Sequence, residues 1–185
     1  MKVIATKLAG AIVFEPEVYG DERGFFMETW NYQRYKQAGL DVKFVQSNLS
    51  KSAKGVLRGL HFQNPNPQGK LVQILTGVVF DVAVDIRQGS PTFGQWHGET
   101  LSGDNHKQFY IPEGFAHGFC VLSDFAIFSY MCTNVYDTKA DCSLLWNDAD
   151  IAIDWPISQP ILSQKDKNAL TLAQIDNNRL PKYKS

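Results

Sequence analysis

The segment Gly77-Val78-Val79-Phe80-Asp81-Val82-Ala83-Val84-Asp85-Ile86-Arg87 has a two-residue rhythm that suits an extended strand. Successive side chains of a strand point to opposite faces, so Phe80, Val82, Val84 and Ile86 share one face while Asp81, Asp85 and Arg87 share the other. The acidic face fits either solvent or the polar interior of a closed barrel, and the alternation leaves both open. Similar runs lie at 11–15, 25–30, 42–49, 57–63, 71–75, 94–101, 108–111, 118–122, 126–135 and 143–146. Turn-forming clusters separate them: Asn64-Pro65-Asn66-Pro67, Gly89-Ser90-Pro91, Ser102-Gly103-Asp104-Asn105 and Pro112-Glu113-Gly114. Many short strands at this spacing predict an all-β fold, a sandwich or barrel of jelly-roll type. Helix is expected only at 31–38, stopping at Gly39, and at 166–174, with Ser163 or Asp166 as cap. No repeat, low-complexity tract or linker divides the chain, so a single domain over residues 1–185 is expected.

Bulk properties remove several function classes. A net charge of −1 gives no electrostatic case for nucleic-acid or membrane binding, so any anion site must be local. No apolar run approaches the roughly 18 residues of a membrane span, and the N-terminus lacks the apolar stretch of a signal peptide. Cys120, Cys132 and Cys142 show no CxxC spacing, which indicates neither a disulfide framework nor a zinc site. A reducing cytoplasm is the default location.

Chemistry concentrates in Arg58-Gly59-Leu60-His61-Phe62-Gln63 and the nearby Gly69-Lys70-Leu71-Val72-Gln73. Imidazole moves protons near neutral pH, and arginine and lysine hold phosphate or steady an enolate. The ordinary alternative is a hairpin with surface charges. Strict alternation would send Arg58 and His61 to opposite faces. A shared pocket therefore needs a bulge or sharp twist, for which Gly59 is the natural place.

Other segments carry weaker signals. In Asp21-Glu22-Arg23-Gly24-Phe25-Phe26-Met27-Glu28, Arg23 suits a phosphate and Glu28 a base or sugar donor, although a charged surface turn has the same look. Tyr130 and Tyr136 fall on one face of an undistorted strand. A phenol serves as general acid and a second ring stacks on a base, while an aromatic core stripe is the alternative. Asp166, in Ser163-Gln164-Lys165-Asp166, suits either a helix start or the far nitrogen of His61. The four histidines (His61, His97, His106, His117) contain no His-x-His pair, which disfavours a metal centre. There is no GxGxxG, GxxxxGK[ST] or GxSxG motif.

The segments DERGFFMETW, QSNLSKS, GVLRGLHFQ, QGKLVQILTGVVFDVAVDIRQGSPTFGQW, FYIPEGFAHGFCVLSD and LSQKD occur in an order and spacing that closely resemble the dTDP-4-dehydrorhamnose 3,5-epimerases. The resemblance covers nearly the whole chain. It implies a metal-free cupin jelly roll without cofactor, usually a homodimer, acting on dTDP-4-dehydro-6-deoxy-D-glucose in dTDP-L-rhamnose biosynthesis. By the same resemblance His61 is the base, Asp166 its carboxylate partner, Lys70 the enolate stabiliser and Tyr130 the acid. Arg23, Glu28, Gln46, Ser47, Asn48, Arg58, His117 and Lys165 match substrate-contacting positions, and Tyr136 matches the ring that stacks on thymine. The Arg23/Glu28 segment is expected to be offered across the dimer interface. Where the family usually has proline and glutamate after Tyr136, this chain has Thr138 and Asp141, and the shorter Asp141 side chain puts that ligand contact in question. Rival readings are a single-centre epimerase or ketoisomerase on the same scaffold, a metal-dependent cupin oxygenase, and a non-catalytic nucleotide-sugar-binding module.

Overall fold

The computed structural model describes residues 1–183. Its strands are β1 (Lys2–Ala5), β2 (Ile12–Glu15), β3 (Val18–Asp21), β4 (Gly24–Met27), β5 (Gln46–Ala53), β6 (Leu57–Gln63), β7 (Lys70–Thr76), β8 (Val78–Asp85), β9 (Trp96–Ser102), β10 (Gln108–Ile111), β11 (Phe115–Val121), β12 (Phe125–Cys132) and β13 (Asp141–Ser143). A six-stranded sheet runs β1-β2-β10-β7-β12-β5, and a five-stranded sheet runs β13-β6-β11-β8-β9. β3 and β4 form a separate hairpin. The paired strands are antiparallel, and the two large sheets are not closed into a barrel. The expected all-β, cupin-like architecture therefore takes its open, sandwich form.

The inner faces share one core. Val72 and Ile74 of β7, Phe109 of β10 and Phe128 of β12 meet Val79 and Ala83 of β8, Leu101 of β9 and Phe119 of β11. Burying each such side chain is worth about 1.5–3 kcal/mol, so this layer holds the sheets together. Both faces of β8 are covered. Phe80, Val82, Val84 and Ile86 turn outward against Leu144, Ile151, Ile175 and Leu180 of the C-terminal stretch. Asp81 and Asp85 lie on the other face and are completely buried, so the acidic face is interior.

A short helix, α1 (Tyr32–Gln37), covers the outer face of the six-stranded sheet by packing Tyr35 with Phe14, Leu71 and Tyr110. Its start is set by Asn31, whose side chain accepts a hydrogen bond from the Arg34 amide. A second helix, α2 (Gln164–Lys167), is capped by Ser163.

Several expected boundaries move. β6 and β10 fall where the pattern places them, but the 42–49 run becomes β5 at Gln46–Ala53. Val42 and Phe44 pack onto the outer cluster as irregular chain instead. The expected 166–174 helix is cut short. Asn168 ends α2 and Leu170 bridges to Leu144 in extended form before a 3-10 turn at Leu172–Gln174. β1 and β3 are additions. β3 is exposed along its whole length and so has no apolar alternation to announce it.

Candidate active site

The site begins at an irregularity in β6. His61 pairs with His117 across β11, but the next pairing is Arg58 with Phe119, so β6 carries an extra residue. Gly59 makes the bulge, with φ of +123°, and a Cβ on it would come within 2.5 Å of Gly118 Cα. The expected break in alternation is therefore present at Gly59. Arg58 and His61 line the same small chamber.

His61 Nε2 lies 2.6 Å from Asp166 Oδ1. Asp166 is 2% exposed and sits in the first turn of α2. Ser163 Oγ donates to Asp166 Oδ2 at 2.8 Å, and the Asp166 amide donates back to Ser163 Oγ at 3.1 Å. Asp166 thus completes a helix cap and engages the histidine at once. Burial pushes its carboxyl up, but the bonds from His61 and Ser163 and the charges of His61 and Lys165 outweigh burial, and the net position is below the usual aspartate value. An ionised carboxylate only accepts, so Nε2 carries the proton and Nδ1 is left with the basic lone pair.

Two cavities meet at this residue. The larger, of about 390 Å³, has Gln46, Asn48, Gln63, Tyr136, Asp141 and Lys165 around its rim. The smaller, of about 190 Å³, is lined by Ser50, Arg58, His117, Phe119 and Phe128. His61, Lys70 and Tyr130 line both. The acid–base groups therefore occupy the wall common to two chambers.

Burial and neighbouring charges act on Lys70, Tyr130 and His117. Desolvation holds the Lys70 ammonium below its usual range, while the charges of Cys132, Asp81 and Asp141 oppose the fall. Burial raises the Tyr130 phenol, which favours the protonated acid. His117 is 7% exposed, and its Nε2 lies 2.9 Å from both oxygens of Asp81. Burial lowers the His117 imidazole against the opposing pull of Asp81.

At the rim, Tyr136 OH donates to Asp141 Oδ2 at 2.8 Å, and Lys165 Nζ pairs with the same oxygen. Asp141, shorter than the family's usual glutamate, is here engaged with its own neighbours. The Tyr136 amide donates to Gln46 Oε1, and Gln46 Nε2 donates to Asn48 Oδ1. Tyr136 is 54% exposed, as a ring that stacks on a ligand must be.

Three expected site residues lie elsewhere. Arg23 is exposed on the β3–β4 turn and paired with Asp21. Glu28 is held by Asn31 Nδ2 and by Arg34. Ser47 is exposed, because alternation along β5 turns Gln46, Asn48 and Ser50 inward and Ser47 outward. None of the three lines either chamber. Conversely, Ser50, Gln63, Cys132 and Asp81 were not anticipated. Even-numbered spacing from Asn48, His61 and Tyr130 was available as a signal for the first three. Among the described residues no three His, Cys, Asp or Glu side chains group to hold a metal ion.

An open sandwich with a carboxylate-held histidine in its inner cleft defines a cupin-like protein built for acid–base chemistry. The chain belongs to the dTDP-4-dehydrorhamnose 3,5-epimerase family, whose model matches residues 5–174. It is 54% identical over 178 residues to the dTDP-4-dehydrorhamnose 3,5-epimerase of Shigella flexneri, covering 95% of this chain and 98% of that one. A crystal structure of the dTDP-6-deoxy-D-glucose-3,5-epimerase from Legionella pneumophila Philadelphia 1, in complex with dTDP-4-keto-L-rhamnose, superposes with a TM-score of 0.97. That match has 53% identity and covers 100% of this chain and 99% of the other. A dTDP-4-dehydrorhamnose 3-epimerase of Streptomyces niveus is more distant, at 39% identity over 99% of this chain and 90% of that one.

Proposed function

We propose that this chain inverts C3 and C5 of dTDP-4-dehydro-6-deoxy-D-glucose to give dTDP-4-dehydro-L-rhamnose, supplying dTDP-L-rhamnose biosynthesis. The observation that carries this reading is the placement of His61, with its Asp166 partner, beside Lys70 and Tyr130 on one shared wall. Both target protons are α to the C4 ketone and become removable only if the enolate is stabilised. His61 takes the proton, Lys70 neutralises the developing oxyanion at C4, and Tyr130 returns a proton to the opposite face of the carbon. Each inversion leaves a protonated His61 and an ionised Tyr130, so both must exchange protons with solvent before the next. Burial raises the Tyr130 phenol, which supports its role as the loaded acid of that cycle.

Arg58 and Lys165 are the cations we assign to the diphosphate, Tyr136 stacks on thymine, and His117, Gln46 and Asn48 position the substrate. Arg23, Glu28 and Ser47 act only if a second copy presents them. The exposed apolar rings of the hairpin, Tyr19, Phe25 and Phe26, support docking of that hairpin on a partner chain as a homodimer. We assign the chain as one cytoplasmic domain working without cofactor; among the described residues no helix is long and apolar enough to cross a membrane.

Incubation with dTDP-4-dehydro-6-deoxyglucose in deuterated water tests the reading. Deuterium at both C3 and C5 is expected. Label at one carbon alone would indicate a single-centre epimerase, and no label would remove the function. His61→Ala should lose at least about 10²-fold in turnover while dTDP still binds, as read by calorimetry.

A further inference from the structure

The structure contains a second histidine–carboxylate pair, His117–Asp81, on the strand adjacent to the first. His117 pairs with His61 across the ladder, and Asp81 on β8 lies diagonally behind it. Asp81 is fully buried and its two oxygens both reach His117 Nε2 at 2.9 Å. This arrangement has no role in the proton transfers assigned above.

We propose that Asp81 is a positioning residue for this reaction: it fixes His117 with Nδ1 facing the small chamber as an acceptor. The inference rests on the epimerase reading and deepens it. One geometric observation carries it. Both Asp81 oxygens lie 2.9 Å from His117 Nε2, and a carboxylate only accepts hydrogen bonds, so the proton sits on Nε2 and Nδ1 is left as a lone pair among the groups lining the small chamber. A lone pair there receives a hydroxyl hydrogen of a sugar ring.

The test is nitrogen-15 NMR of the His117 ring in the wild type and in Asp81→Asn. The wild-type ring is expected to carry a proton on Nε2 and none on Nδ1, and the opposite tautomer overturns the assignment. The amide introduced by Asp81→Asn can donate or accept, so the variant should lose the fixed tautomer and lose turnover with it, while Asp81→Glu should restore both. A folded Asp81→Asn enzyme that keeps the wild-type tautomer and turnover would overturn the inference. Should the variant not fold, the wild-type spectrum decides. That measurement needs no turnover, so failure of the wild type to incorporate deuterium would reject the epimerase reading separately.

Discussion

Gly59 and Gly118 meet face to face across the β6–β11 ladder: a Cβ on Gly59 would fall 2.5 Å from Gly118 Cα, and one on Gly118 would fall 2.8 Å from the Arg58 carbonyl oxygen. This close approach lets β6 carry its extra residue, and the extra residue puts Arg58 and His61 on one chamber. Gly59→Ala should therefore reduce activity and stability together. The left-handed backbone alone costs alanine about 1–3 kcal/mol, before the clash is counted. Urea unfolding and steady-state kinetics check both, and a variant of normal stability and activity would contradict the role of the bulge.

Asp166→Asn removes the charge that holds His61 but nearly keeps the shape. An amide can present either oxygen or nitrogen to Nε2, so the histidine loses its fixed tautomer and the stabilisation of its protonated form. A fall in kcat of about 10²–10⁴-fold is expected, with dTDP affinity within about threefold of wild type. Equal losses in binding and turnover would point to a structural effect only.

Tyr136 is the exposed ring at the rim of the larger chamber, tethered through its hydroxyl to Asp141. Tyr136→Ala should weaken dTDP binding by about 1–3 kcal/mol, the usual worth of one base–aromatic stack. Tyr136→Phe keeps the ring and should lose much less. Calorimetric titration with dTDP distinguishes them, and equal losses would assign the affinity to the hydroxyl.

Acid sensitivity follows from Asp85 and Asp166. For Asp85, burial raises the carboxyl, but hydrogen bonds from Arg87, Ser90 and Thr92 outweigh it, and the net position is below the ordinary value of 3.8. Asp166 is lowered as well. Stability from such groups is complete above the unfolded-state value and disappears as pH falls through the depressed folded-state values. Unfolding free energy should begin to fall below pH 6.5, where unfolded His117 gains the proton that its buried folded form resists, and should drop further below 3.8 as the two carboxylates protonate. Asp85→Asn should flatten that acid slope; an unchanged slope would assign the acid loss to other groups.

The two-residue rhythm of β8 and the turn clusters made the layered all-β fold legible, because both depend on local geometry. What lay outside local pattern was less accessible. The hairpin of β3 and β4 has no buried face to produce a pattern, and Val42 and Phe44 gained their partners only once α1 was in place. His61, Lys70, Tyr130 and Asp166 could be named from motifs, but their meeting on one wall depends on register between strands far apart in sequence. Asp81 shows the limit most clearly. Its acidic face fitted solvent and interior equally until β11 set His117 beside it.

His61 and Asp166 are separated by 105 positions along the chain. Synthesis proceeds from the N-terminus, so both sheets can pair before the segment bearing Asp166 has left the ribosome. During that interval the base lacks its partner and the larger chamber lacks Lys165. A prematurely terminated product ending before α2 would lack both the fixed histidine and one of the two cations assigned to the diphosphate, so the last stretch of chain to be made completes catalysis and binding together.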